Sequence, residues 1–223
     1  MTQTAGPGID KGCCAAALTR PARRVHLAVL GAFAHTGRAP MRGELARLAR
    51  SQGADPAAVL AELAERDVIA FDRAGEIRAA YPFSPSPTPI RVTWDGGPVT
   101  CAMCAIDALG ISAMLGRPVT ITAAEPGTGR VITVHADGGQ ARWNPPGAVV
   151  FAGTTGGDCP HAADRTCGHI NFFTSARAAR TWAHANPAVT GTVLRRAQAL
   201  RQAVAEFGAF MQAATPPPGP DQR

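Results

Sequence analysis

The stretch IRVTWDGGPVTCAMCAIDALGISAMLGRPVTITA, residues 90–123, decides the fold class. Ile90–Trp94 alternates apolar and polar side chains, as a half-buried strand does, and Gly96-Gly97 turns the chain. A helix is expected from about Cys104 to Leu115, closed by Gly116. The alternation then returns in RPVTITA. Downstream, GRVITVHA (129–136) is a second strand of the same kind, reached by a turn at Pro126-Gly127. GAVVFA (147–152) and HINFF (169–173) are short strands, separated by a long Gly/Asp/His loop that runs to Thr166. SARAARTWAHAN (175–186) reads as a helix, and TVLRRAQALRQAVAEFGAFMQ (192–212) as a long terminal one. Strands with helices set around them predict an α+β unit built on a mixed, partly antiparallel sheet.

Upstream, RRVHLAVLGAFAHTG, MRGELARLARSQG and ADPAAVLAELAERDVI predict three helices. The third is capped by Asp55, with Pro56 at its first position. VIAFDRAGEIRAAYPF then alternates like a hairpin turning at Arg73–Gly75. Three helices and a hairpin are the plan of a winged-helix-like unit. Its third helix is nevertheless poorly made for DNA: Arg66 stands at the far end beside Glu62, Glu65 and Asp67, which would face phosphates badly. A structural role is expected for it, without nucleic acid. The resulting organisation is a flexible tail at 1–22, a winged-helix-like domain at 23–83, a linker at 84–89 (SPSPTP), a second domain at 90–212 and a flexible tail at 213–223.

The net charge of +6 arises from 22 basic against 16 acidic residues, nearly all the basic ones arginine in a chain rich in Ala, Gly and Pro. Such a bias accounts for the charge as well as an anionic partner would. No apolar run is long enough for a membrane span, and the start lacks the sustained hydrophobic segment of a secretory signal. A cytoplasmic protein with reduced thiols is expected, its cysteines metal-binding or reactive rather than bridged.

The candidate chemistry lies in two clusters. In the first, Cys104 opens a helix and Asp107 follows one turn later on the same face. Unpaired N–H groups and the helix dipole at that end are expected to favour the thiolate. The carboxyl could accept a proton or deliver one to a group held at the sulfur. The second cluster, GDCPHAADRTCGHINFF, holds Cys159, His161, Cys167 and His169. Cys167, just before a strand, could reach the helix that bears Cys104. Two sulfurs and one carboxylate would suit a thiophilic ion better than magnesium or calcium.

Blander readings stand beside this one. A half-buried cysteine on a helix commonly serves as a small apolar residue. Cys101-x-x-Cys104 with Cys159 and Cys167 could form a four-thiolate zinc clip, although the second pair is eight apart. A winged-helix metal sensor or metal-binding protein without enzymatic activity would use the same cysteines. Cys13-Cys14 could pass a metal onward or do nothing. His169 reads as a strand histidine satisfied by a carbonyl, Phe172 and Phe173 as core and pocket wall, and Trp182 as helix packing.

Two blocks carry a resemblance. CAIDALGISAMLGRPVTI is similar to the Cys-Ala-Leu-Asp-Thr helix and Gly-Arg-Thr strand entry of the organomercurial (alkylmercury) lyases. TCGHINFFTSARAARTWAHANP resembles the same family's Cys-x-His-x-x-Phe-Phe-x-Ser block and the Trp of its next helix. With the winged-helix-like unit and the terminal helix, the likeness runs from about residue 25 to 211. It implies that Cys104 and Cys167 are the catalytic cysteines and Asp107 the catalytic aspartate, the three also holding mercury as substrate and product. The implied reaction is protonolysis of a carbon–mercury bond to a hydrocarbon and Hg(II), with no organic cofactor or resident metal. External small thiols would release Hg(II), with mercuric reductase as an acceptor. Met103 stands where the family often has tryptophan, which leaves the preferred organic group open, and Gly168 where some members have a further cysteine.

Overall fold

The computed structural model describes residues 11–155 and 162–211. The chain opens with a short helix α1 (Lys11–Ala16), followed by α2 (Arg20–Thr36), α3 (Arg42–Ser51) and α4 (Pro56–Glu65). Asp55 caps α4 through its carboxylate, which accepts from the Ala57 and Ala58 N–H groups. The hairpin follows as β1 (Ile69–Phe71) and β2 (Ile77–Ala80), then β3 (Phe83–Ser84), β4 (Ile90–Thr93) and β5 (Thr100–Ala102). Helix α5 (Ala105–Leu115) ends at Gly116, whose φ of 62° is the left-handed C-cap that glycine adopts without a Cβ penalty.

Three strands in succession, β6 (Val119–Ala124), β7 (Val131–Asp137) and β8 (Gln140–Asn144), complete an eight-stranded sheet of order β1-β2-β3-β5-β4-β6-β7-β8. Strand β9 (Val149–Thr155) starts a second sheet, flanked by β10 (Ile170–Phe173) and β11 (Val189–Leu194). The short helix α6 (Ala162–Arg165) and a 3-10 turn (Cys167–His169) lead into β10. Helix α7 (Ala176–Ala185) follows β10, and α8 (Arg196–Phe207) ends the described chain.

Helix α5 is the axis of the core. Nine of its eleven residues are buried, so it is apolar all round and must be covered on every side. Val92, Ile121, Ile132 and Val134 pack in this core from the large sheet, and Leu200, Ala203 and Phe207 from α8. A smaller cluster of Val149, Phe151, Phe173 and Ala179 lies under α7, with Trp182 edge-on to Phe151 at 5.7 Å between ring centroids.

The α+β class is as expected, and so is the order of three helices and a hairpin, but five expectations need correction. Residues 11–22 of the supposed tail are ordered, as α1, a short turn and the start of α2, and anchored: Lys11 and Ala15 are buried, and Thr19 donates to Glu62 through its N–H and its hydroxyl, both at 2.6 Å. Residues 84–89 are no loose linker. They join two strands of one sheet, and the Thr88 hydroxyl donates to the Ala102 carbonyl at 2.8 Å. The hairpin therefore runs on into the large sheet through β3. The sheets are not mixed, since every ladder between the described strands is antiparallel. The terminal helix begins only at Arg196, because the β-branched run before it pairs with β9 as β11. The expected tail at 213–223 lies outside the described residues, and no described helix is long and apolar enough to cross a membrane.

Candidate active site

Cys104 does not sit inside α5 but caps it. Strand β5 delivers the chain in extended form, Met103 N–H is fixed on the Pro82 carbonyl at 3.1 Å, and Cys104 keeps extended angles of φ −154° and ψ −179°. Its sulfur accepts from the Asp107 N–H at 3.4 Å, as an N-cap oxygen would. Asp107, at the third helical position, is thereby held one turn along on the same face. Cys167 arrives from the other side, in the 3-10 turn that feeds β10. One ligand atom from each of Cys104, Asp107 and Cys167 lies within 4.8 Å of the others, and all three residues are buried. They are the three residues singled out from the sequence. Both cysteines are unbridged thiols.

The electrostatics reverse one expectation. Cys104 was expected to be a stabilised thiolate; instead its thiol is pushed well above the usual range. Burial is the main cause, and the neighbouring Cys167 and Asp107 add to it. One long N–H contact and the end of an eleven-residue dipole do not offset the loss of water beside two other acidic groups. Asp107 is raised to about 7, again by burial, against which the hydrogen bond with Cys104 and the charge of Lys11 pull it down. Its Oδ2 is buried without a hydrogen-bond partner. A buried carboxylate oxygen left without a partner is costly unless a ligand supplies one.

Other candidates fall elsewhere. Cys101 stands on β5 opposite Ser84 and Arg91, and among the described residues it is not part of this group. Cys159 and His161 lie outside the described residues. His169 is in the 3-10 turn rather than the strand, half-buried, with its N–H on the Thr166 carbonyl at 2.8 Å. Phe172 packs edge-on to Trp143, and Phe173 and Trp182 pack together in the smaller cluster. An open groove with Trp94, Arg117, His135 and Arg142 on its walls lies at the other end of α5 and holds none of the three.

A family model for alkylmercury lyases matches residues 83–208, more than half of the sequence. The chain belongs to the alkylmercury lyase family. An alkylmercury lyase of Streptomyces lividans is 28% identical over 173 residues, covering 77% of this chain and 78% of that one. One of Staphylococcus epidermidis is 28% identical over 119 residues, a match spanning 53% of this chain and only about half of the relative, 54%. The crystal structure of the mercury-bound form of MerB2 superposes with a TM-score of 0.71 at 25% identity, covering 90% of this chain and 96% of that one. The alkylmercury lyase match takes in β3 through α8, and with them Cys104, Asp107 and Cys167. Lys11, Asp67 and Tyr81, which gather beside these three, were not picked out from the sequence as site residues. Lys11 bonds Asp67 and lies over the Tyr81 ring, and both are far from it along the chain.

Proposed function

We propose that this protein cleaves carbon–mercury bonds by protonolysis, with Cys104, Cys167 and Asp107 as the catalytic residues. The observation that carries this reading is the buried set of two thiols and one carboxyl within 4.8 Å. Family membership and the likeness to a mercury-bound structure support it. Burial and the crowding of acidic groups push Cys104 and Asp107 up from their ordinary pKa values, and a cation bound between them would pull both back down. A soft organomercury cation supplies the missing positive charge, and sulfur is the donor it prefers.

An organomercurial reaches the site as its adduct with a small thiol, and one protein thiol displaces that thiol: a mercury–sulfur bond forms, another breaks, and the small thiol leaves with the proton. The second protein thiol then approaches mercury. Asp107 takes its proton and passes it to the carbon, so the carbon–mercury bond breaks, a hydrocarbon departs and Hg(II) is held by two sulfurs. Two external thiols then exchange onto Hg(II), return protons to both cysteines and carry the metal away. A carboxyl whose pKa lies near 7 both receives and gives up a proton at neutral pH, which is what this relay needs. No organic cofactor enters this scheme; mercury is substrate and product, and small thiols are the required partners.

The test is hydrocarbon release from phenylmercury with excess thiol. Wild-type protein should release benzene. Cys104→Ala and Cys167→Ala should each abolish turnover, because mercury would be left on one protein sulfur. Asp107→Asn should lower turnover by about 100-fold or more while still binding mercury, a loss on the scale of a removed proton carrier. Cys101→Ala should leave turnover near wild type. Benzene release at the normal rate without Cys167 would refute the assignment.

A further inference from the structure

We infer that Lys11, Asp67 and Tyr81 are positioning residues for Cys167, holding the segment that carries this thiol within reach of Cys104 and Asp107. The inference rests on the site proposed above and adds three residues to it. Cys167 follows α6 by two positions, and a four-residue helix has little stability of its own. Its first N–H groups have no partner within the helix and need one from outside. Two distant side chains supply it. Asp67 accepts the Ala162 N–H at 3.0 Å, and the Tyr81 hydroxyl accepts the Ala163 N–H at 2.7 Å. From there Thr166 closes on the Ala162 carbonyl through its N–H at 2.9 Å and its hydroxyl at 3.0 Å, and the next residue is Cys167.

Lys11 ties the two acceptors together. Its ammonium makes an ion pair with the Asp67 carboxylate, donates to the Asp67 carbonyl at 2.5 Å, and lies 3.8 Å from the centre of the Tyr81 ring. All three residues are buried. A buried ion pair of this kind is weak grounds for stability, since a well-packed apolar pair often does as well. A geometric role explains it better, and two further observations agree. Lys11 is the only lysine in a sequence with 21 arginines, and a compact ammonium fits between a carboxylate and a ring face where a planar guanidinium needs more room. Asp67 takes a left-handed φ of 49°, at the place where a helix end calls for glycine: its N–H closes on Ala64 at 2.9 Å and that of Val68 on Leu63 at 3.2 Å. Glycine would relieve that strain but would carry no carboxylate for Lys11 and Ala162.

The experiment loads one equivalent of Hg(II) and maps by alkylation and mass spectrometry which cysteines it protects. A competing small thiol then measures how tightly the metal is held. Wild type should protect Cys104 and Cys167. Lys11→Met, Asp67→Asn and Tyr81→Phe should each keep Cys104 protected, lose protection at Cys167, and release Hg(II) at roughly tenfold lower competing thiol, the usual scale for a lost supporting group. Tyr81→Phe removes a single hydroxyl and keeps the ring under Lys11, so it remains informative should Lys11→Met fail to fold. Wild-type protection of Cys167 in folded Tyr81→Phe and Asp67→Asn would overturn the inference, whatever happens to their melting temperatures. Phenylmercury turnover by the wild type separates the two ideas: no benzene from wild type but mercury loosened in the variants sinks the lyase reading alone. Benzene from wild type with unchanged variants sinks this inference alone.

Discussion

Two buried titratable residues pull the pH dependence of stability in opposite directions. His26 on α2 is held neutral, its pKa lowered to about 4 by burial first and by Arg23 second, and its Nε2 lacks a hydrogen-bond partner. The unfolded chain binds a proton on it near pH 6.5 that the native state refuses. Its contribution is therefore fully present above pH 6.5 and is lost as pH falls toward 4. Asp107 does the reverse. With a native pKa of about 7 against 3.8, the native state keeps a proton that the unfolded chain releases, so stability is lost as pH rises from about 4 to 7. Each span is on the order of 3–4 kcal/mol, so in the wild type the two slopes largely offset. Melting temperatures between pH 5 and 7 should change little in the wild type. They should rise with pH in Asp107→Asn, where only His26 acts, and fall with pH in His26→Leu, where only Asp107 acts. Slopes of the same sign in both variants would contradict the burial of one of these groups.

At the level of elements, two helical glycines separate propensity from packing. Alanine at an open helix position gains roughly 0.5–1 kcal/mol over glycine. Gly31 in α2 has nothing within 4 Å of where a Cβ would stand, so Gly31→Ala should stabilise by about that amount. Gly110 in α5 faces α8, and its Cβ would meet the Phe207 ring at 2.5 Å and the Ala203 carbonyl at 3.0 Å. There overpacking wins, and Gly110→Ala should destabilise by about 1–3 kcal/mol despite the better propensity. Paired chemical denaturation curves decide it; equal effects would mean that α5 and α8 do not touch closely. The elements legible in the sequence were those with a strong period or a clear cap. Helices α2 to α5 showed apolar spacing, Asp55 and Gly116, and β6 and β7 showed strict alternation. Helix α1 showed neither, because KGCCAA is short and is held by an ion pair to a residue 56 positions away. Strand β11 was hidden for a different reason: no residue of VTGTVL is fully buried and only Val189 and Val193 pack on the smaller cluster, so its last residues read as the start of α8.

For the whole molecule, the site is a meeting of two segments 63 residues apart, one delivered by the large sheet through β5 and the other by the small sheet through β10. The sequence made the chemistry of each segment legible, since a thiol and carboxyl one helical turn apart must share a face. It left out what brings them together, because Lys11, Asp67 and Tyr81 act through contacts that have no local pattern. A ligand that bridges the segments only when the protein is folded stabilises the native state in proportion to its affinity for that state over the unfolded one. One equivalent of Hg(II) should therefore raise the melting temperature of the wild type and of Cys101→Ala. Cys167→Ala and Cys104→Ala should show little rise, since mercury on one sulfur joins nothing to anything. The unfolded chain also binds mercury through its six cysteines, which reduces the gain but does so alike in each single-cysteine variant. The comparison among variants is thus the informative quantity, read by calorimetry at equal protein and metal. An equal rise in Cys167→Ala and wild type would mean that Hg(II) does not bridge the two sheets, and the arrangement of the site would have to be explained without it.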